Sequence, residues 1–487
     1  MKKLTAILCL CLILTSCGST EQPPLETTES TTATEAVTTG TRYTPELPDM
    51  DFGGRTFTFV DYQTPDERYV MNCNYDIFAE GETGDPINDA VYHRNRYVEE
   101  KYKLKIAEYG SLKPSEEIAK AIIAGDDTYD FIAAPPKRVE LAGAATSGYL
   151  HDLNSLKYID TSKTWWDDGA VDSLTIDGKL FFCTGDIIIL DDSQSWIVYF
   201  NKELFDDAKI GYPYKLVDDG KWTIDAMYRI AQDMSADLNG DGVMDENDRF
   251  GLITEYSCSY NLIAGFGERI AGHDENGGIR LTAYSERISD GLDKALTLFN
   301  DKHNVLTVED YSHVDNYWVE FLINKFKSNG SAMIISYLNY ITGSYRDMEA
   351  NYDILPLPKL DESQDKYYTP VNFNFSSAVA VPKCAKLPDD SAFVLEALAA
   401  ESKNTLTPAF VDVSMKRKQS RDEESIGMPD IIMSSLTYDI GQFFNWGGLY
   451  SAIIEQAKSG ENTYASKYAS LKDSALTAID TLMENIG

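Results

Sequence analysis

The chain has 487 residues, with 78 acidic against 43 basic side chains and a formal net charge of −35. Such a surface repels phosphate backbones, which argues against nucleic-acid binding. With no Lys/Arg cluster it also disfavours anionic ligands, so a neutral or cationic small molecule is the easier partner. There are five histidines and seven cysteines. No CxxC or Cys/His spacing points to zinc. Beyond Cys9, Cys11 and Cys17, the widely spaced Cys73, Cys183, Cys258 and Cys384 leave two alternatives open, one or two disulfides or four separate buried thiols.

Lys2 and Lys3 precede an apolar run from Leu4 to Leu14, a secretory leader too short to span a bilayer. From Gly18 to about Tyr43 the chain is rich in Thr, Ser, Glu and Pro. It cannot bury enough surface to offset its ordering entropy, which predicts a disordered tether. The remainder is long enough for two or three cores. Thr56–Asp61 reads as a strand, Asp85–Tyr102 as a helix, Leu104–Tyr109 as a strand, Pro114–Ile123 as a helix, Tyr129–Ala133 as a strand and Val139–Ala145 as a helix. This alternation predicts an α/β lobe with a mainly parallel sheet. Leu180–Phe182 and Ile187–Leu190 follow a Gly178 turn and read as paired strands. Trp196–Phe200 is a strong strand, followed by a helix over Asn201–Lys209. Thr223 caps a helix over Ile224–Met234. Ala332–Ile335, Tyr352–Pro356 and Ser376–Val381 read as strands, Ser391–Glu401 as an amphipathic helix, and the chain from Asp430 onward as mostly helical.

Two resemblances add to this reading. Leu14-Thr15-Ser16-Cys17, followed by Gly18, resembles a bacterial lipoprotein signal. The resemblance implies cleavage before Cys17, acylation of its sulfur, and an extracytoplasmic domain held to the cell membrane by that anchor alone. Tyr129-Asp130, Gly148 to Leu153, Asp177 to Phe181, Val198 to Phe205, Trp222-Thr223, Ala332 to Ile334, Ile354 to Pro358 and Ser377 to Pro382 occur in an order and spacing similar to the sugar-type extracellular solute-binding proteins (family 1) of bacterial ABC importers. That resemblance spans roughly Phe52 to the C-terminus. It implies an α/β, two-lobed, periplasmic-binding-protein-like fold (type II), with crossings near Thr184–Ser195 and Tyr367–Ser376. It divides the chain into a leader over 1–16, a tether over 17–45, a first lobe over 46–185, and a second lobe over 190–370. A return to the first lobe follows over 376–415, then C-terminal helices on the second lobe over 416–487. The implied partners are a sugar or oligosaccharide and the permease subunits of an ABC importer, with the receptor itself a monomer.

The sharpest local motif is Asp237-Leu238-Asn239-Gly240-Asp241-Gly242-Val243-Met244-Asp245-Glu246-Asn247-Asp248. It follows the EF-hand calcium loop, with Asp in place of the terminal Glu. Asp237, Asn239, Asp241, the Val243 carbonyl, Asp245 and Asp248 are the expected oxygen ligands of a structural calcium ion (Ca²⁺). The motif occurs once, so it does not make a dockerin, which needs two copies.

Sugars present apolar faces to aromatic rings and hydroxyls to amides or carboxylates. With 30 Tyr, 20 Phe and 6 Trp, candidates are taken from loops that follow strands. These are Tyr75 and Asp76 after the first strand, Asp192 and Trp196 at the first crossing, and Tyr337 and Asn339 (with Tyr340) after the Ala332–Ile335 strand. Asn445 and Trp446 complete the set, beside a Gly-Gly turn. Trp165 and Trp166 are expected to be structural. No nucleophile elbow, HExxH or phosphate-binding glycine loop is present. Asp191 and Asp192, adjacent on a strand, would point to opposite faces. The chain therefore reads as a binding protein and not an enzyme. The alternative is a surface glycan-active enzyme or a glycan-binding adhesin.

Overall fold

The computed structural model describes residues 42–64, 73–413, 425 and 427–486. The leader and Cys17 lie outside the described residues. Two sheets organise the rest. The first runs Ala378–Ala380, Phe131–Ala134, Thr56–Tyr62, Lys105–Ser111 in space. Its last three strands are parallel, and Ala378–Ala380 closes one edge antiparallel. The Thr56–Tyr62 strand buries Phe57 and Phe59, and the Phe59 ring stacks on Phe131 at 4.3 Å. The helix Pro86–Tyr102 begins where the Asp85 carboxylate accepts from the N–H groups of Ile87 and Asn88, with Pro at its first position. Against it packs Pro388–Asn404, so a late segment completes the first lobe. From that helix Glu396, buried at 2 % exposure, accepts the Nε1–H of both Trp165 (3.0 Å) and Trp166 (2.9 Å).

The second sheet runs Tyr352–Leu355, Trp196–Asn201, Ser331–Tyr337, Phe250–Thr254, Val305–Thr307. Trp196–Asn201 runs antiparallel to both of its neighbours, Tyr352–Leu355 and Ser331–Tyr337, and the last three strands are parallel, so this second sheet is mixed. Thr223 caps Ile224–Met234 through the Ala226 N–H, and that helix lies on the Phe250–Thr254 strand. A Cβ on Gly251 would stand 1.8 Å from the Ala231 carbonyl oxygen, so only glycine permits this approach. The Phe250–Thr254 and Val305–Thr307 strands are not among the expected elements, nor are the helices Cys258–Gly265 and Glu286–Asn300.

The chain leaves the first sheet after Cys183, which bridges to Val379, and enters the second at Trp196. Ile187–Leu190 is not the expected strand. It is a buried crossing segment that turns into a short helix, Leu190–Ser193, and its backbone bonds to side chains, Ile189 N–H to Asp76 and the Ile187 carbonyl to Arg94, in place of a strand partner. The return segment lies beside it, with Ser195 bridging Val371 and the Asn372 N–H donating to the Gln194 carbonyl at 3.0 Å. Thr369–Pro370 in turn pairs with Leu436–Thr437. The C-terminal helices are expected on the second lobe. Leu449–Ser459 does pack on Cys258–Gly265 and Glu286–Asn300, but Tyr464–Ile486 also reaches Leu141–Thr146 of the first lobe, where Asn485 donates to the Thr146 carbonyl at 2.9 Å. Cys73, Cys183, Cys258 and Cys384 are buried and form no disulfide with one another. Among the described residues no helix is long and apolar enough to cross a membrane.

Candidate ligand-binding site

The parallel strands Phe250–Thr254, Val305–Thr307 and Ser331–Tyr337 end on the same edge of the second sheet, and the loops after them supply Glu255 and Ser257, Glu309, and Asn339 with Tyr340. Trp196 opens its antiparallel strand at that edge, directly opposite Tyr337 in register. These residues line a cleft of about 900 Å³. Ligands of open α/β sheets bind outside the carboxyl ends of strands, so the topology itself chooses this edge. Phe373, Asn374 and Phe375 of the return segment and Gln442 and Tyr450 of the C-terminal helices complete one wall.

Aromatic packing is continuous across the floor. The ring centroid of Trp196 lies 4.3 Å from that of Tyr337, which lies 5.9 Å from Tyr340 and 6.4 Å from Phe375. At the mouth Trp318 opens a π-helical turn, Trp318–Asn324, and remains 36 % exposed. Asn339 is 5 % exposed, yet both its amide atoms lack a protein partner, as does Oδ1 of Asn261. Buried polar atoms are ordinarily satisfied, so these amides have bonding capacity left for a further partner. Glu255, 5 % exposed, accepts from the hydroxyls of Ser257 and Tyr337. Burial, reinforced by the nearby Glu309, pushes its carboxyl up to about 8.

Of the expected ligand residues, Trp196, Tyr337, Asn339 and Tyr340 share this cleft and the others lie elsewhere. Asp76 is fully buried and accepts the Ile189 N–H at 2.7 Å, which makes it an anchor of the first crossing. Tyr75 lies against Ser193 of that crossing. Asp192 sits in the Leu190–Ser193 turn among Asp191, Asp167 and Asp186, and burial raises its carboxyl well above the usual range. Trp446 is 4 % exposed and stacks on Phe444 at 4.9 Å, because the Gly447–Gly448 turn folds it against Tyr464–Ile486. Asn445, at φ 46°, ends the preceding helix and donates to the Ser451 hydroxyl. Trp318, Phe375, Tyr450 and Glu255 escaped the sequence reading. The one available signal was Asn316-Tyr317-Trp318, aromatic residues entering an apolar run from a polar loop.

The Asp237–Asp248 loop joins the Ile224–Met234 helix to the Phe250–Thr254 strand, closed by a bridge between Ala236 and Arg249. Asp237 accepts from the N–H groups of Gly240 and Gly242, Asn239 from Asp241, Asp241 from Val243, and Asp245 from Asn247. Asp248 is fully buried. It accepts from Leu238 and Asp245, and the Asp245 N–H leads the bonds that hold its carboxyl below the usual range. The donor set is entirely oxygen and fits a hard divalent cation. Among the described residues, no group of three or more His, Cys, Asp or Glu side chains converges as a metal site.

Residues 86–394 match the family model for bacterial extracellular solute-binding proteins. The chain belongs to that family. Solved structures similar to this solute-binding protein share its fold at low identity. A sugar transporter from Rhizobium etli in an open conformation aligns with a TM-score of 0.57 at 14 % identity, covering 88 % of this chain and 99 % of that one. A cyclo/maltodextrin-binding protein complexed with maltotetraose aligns with a TM-score of 0.56 at 16 % identity, covering 89 % and 97 %. An ABC substrate-binding protein from Listeria monocytogenes in complex with cycloalternan aligns at 0.52 and 15 % identity, covering 89 % and 99 %. No curated protein matches the sequence.

Proposed function

We propose that this solute-binding protein is a receptor that captures a carbohydrate, in the form of an oligosaccharide, between its two lobes and delivers it to the permease of an ABC importer. The observation that carries the reading is the cleft at the strand ends, a floor of packed rings beside amide groups with no protein partner. Rings cover the C–H faces of a sugar, and Asn339 and Asn261 meet its hydroxyls. The sugars bound by two of the similar structures support the same class of ligand. Because the cleft lining comes from the second lobe, the crossings and the C-terminal helices, the first lobe would close over the ligand by bending at the paired crossings. Closure is favoured only by the ligand's extra contacts in the closed form. Cys17 would carry the lipid anchor that keeps this monomeric receptor at the outer face of the cell membrane.

A thermal-shift screen against mono- and oligosaccharides tests the reading. A ligand at 100 times its dissociation constant adds ~2.7 kcal/mol. Saturable one-to-one binding with compaction in solution scattering is expected. Release of sugar product would instead turn Glu255 and Glu309 into the working pair of a glycan-active enzyme. Trp318→Ala is expected to weaken sugar binding roughly tenfold, by about 1–2 kcal/mol, with a smaller effect on the melting temperature than truncating a core ring, since Trp318 keeps 36 % of its surface exposed. Unchanged affinity in this variant would remove Trp318 from the site.

The proposal extends to calcium in the 237–248 loop. Asp237, Asn239, Asp241, the Val243 carbonyl, Asp245 and Asp248 would hold the ion, which would supply a cross-link between helix and strand at a distance from the ligand. Chelation is expected to lower the melting temperature and leave sugar affinity unchanged. Asp241→Ala should reproduce the loss of both bound metal and stability, and an unchanged metal content and melting point in that variant would end the calcium reading.

A further inference from the structure

The cleft carries a charge pattern that separates one kind of sugar from the others. Its ionisable carboxyl groups are Glu255 and Glu309, and no Lys, Arg or His stands among its lining residues. Glu255 is the more deeply placed. Tyr337, Tyr340, Tyr450 and Cys258 lie near it, and each feels its carboxylate. Glu309 faces it from the neighbouring strand end and repels it, while Lys458 offsets Glu309 and Asp310 opposes that offset. Ser257 and Tyr337 both donate to Oε1 of Glu255, and Oε2 accepts from no described residue.

Hydroxyl donors favour the ionised acid, whereas burial and a second carboxylate oppose it. A neutral hydroxyl entering such a site gains one hydrogen bond and leaves Glu255 protonated beside Glu309. A cation lets both acids ionise against it and also gains from the electron-rich rings around them. An anionic sugar would add a third negative charge.

We propose that the ligand presents a protonated amine to Glu255, so that the cleft selects amino sugars over their neutral, acetylated or acidic counterparts. This rests on the receptor reading above. Before the ligand enters, burial holds a proton on the Glu255 carboxyl near neutral pH. The incoming ammonium takes its place, and the proton passes to solvent. Binding therefore releases one proton from the protein, with no covalent step.

The test is titration calorimetry on the purified full-length protein, in two buffers of different ionisation heat, with four probes: glucosamine trimer, N-acetylglucosamine trimer, cellotriose and spermidine. The three saccharides share one backbone and differ only at C2. The glucosamine trimer is expected to bind at least about tenfold more tightly than the other two, with proton release that they do not show. Glu255→Gln should abolish both the preference and the release. Glu309→Gln, at a more accessible position, should reduce the preference while leaving the fold intact, so a misfolded Glu255→Gln would not protect the idea. Failure of the glucosamine trimer to bind, or binding no tighter than cellotriose, overturns the proposal. Binding of cellotriose or the acetylated trimer in that case leaves the receptor reading standing. Tighter binding of spermidine than of any saccharide overturns the sugar part and assigns the amine site to a polyamine. If no saccharide in this set or in the wider screen binds, the receptor reading falls with it.

Discussion

Arg94→Met is expected to destabilise the protein by about 3–5 kcal/mol, the loss typical when one partner of a buried charged network is removed. Arg94 is 1 % exposed. Its guanidinium donates to the Ile77 carbonyl at 2.7 Å, to the Ser402 hydroxyl at 3.2 Å and to the Ile187 carbonyl at 3.4 Å. It also provides the positive charge facing Asp76, whose carboxylate is further held by the Ile189 and Leu190 N–H groups. Methionine fills most of the stem volume, so the expected loss is electrostatic and not a cavity effect. Without the guanidinium, burial would leave Asp76 strained or force it to hold a proton, and Ile187 of the first crossing would lose its tie to the Pro86–Tyr102 helix. Lysine keeps the charge but not the planar fork, so Arg94→Lys should fall between the two. Urea unfolding measures this directly. A loss below about 1 kcal/mol for the methionine variant, the range of an exposed pair, would show that the network contributes no more than a surface contact.

The second large effect is on pH. Burial is the leading cause that raises Asp61 to about 8, Glu255 to about 8, Glu396 to about 7 and Asp76 to about 6, and it also raises Asp191. In each case the folded value exceeds the unfolded one, so the folded state holds the proton more tightly. The stability these groups contribute is complete below about pH 4, near their unfolded values, and is lost as pH rises through the folded values, from about 6 to about 8. Self-repulsion from a net charge of −35 acts in the same direction. The melting temperature is therefore expected to fall on the order of 5–10 °C between about pH 5.5 and about pH 8.5, a shift equivalent to a few kcal/mol for a chain of this size. One group reports on itself. Glu396 bonds the indoles of Trp165 and Trp166, so their near-ultraviolet circular dichroism should titrate with a midpoint of about 7. A melting temperature that rises over this range would contradict the assignment of these acids as protonated in the fold.

Local chemistry made much of the fold legible. Ile224–Met234 reads correctly to the residue because Thr223 is a strong cap, the apolar spacing is regular and Ser235 departs from helical geometry. Asp85-Pro86 marks the start of Pro86–Tyr102 for the same kind of reason. The Phe250–Thr254 and Val305–Thr307 strands were missed because five and three residues are too few to establish a period. With them went Glu255 and Glu309, whose importance comes from standing at the ends of those strands. Ile187–Leu190 carries a strand's composition and lies in a crossing, since a segment buried on all sides has the same residues in either role.

The sequence by itself determined the acidic character and the strand–helix alternation of the first lobe, because these follow from composition, capping and spacing along the chain, while the order of its motifs carried the resemblance to solute-binding proteins and, with it, the two-lobed α/β architecture. Only the tertiary structure decided which aromatic residues share the cleft. Trp196 and Tyr337 meet because two strands far apart in the chain pair in one antiparallel register. Trp446, equally promising beside its glycines, turns into the core against Tyr464–Ile486. A ring has the same local pattern whether it covers a ligand or another ring, and the choice lies in contacts made across the chain.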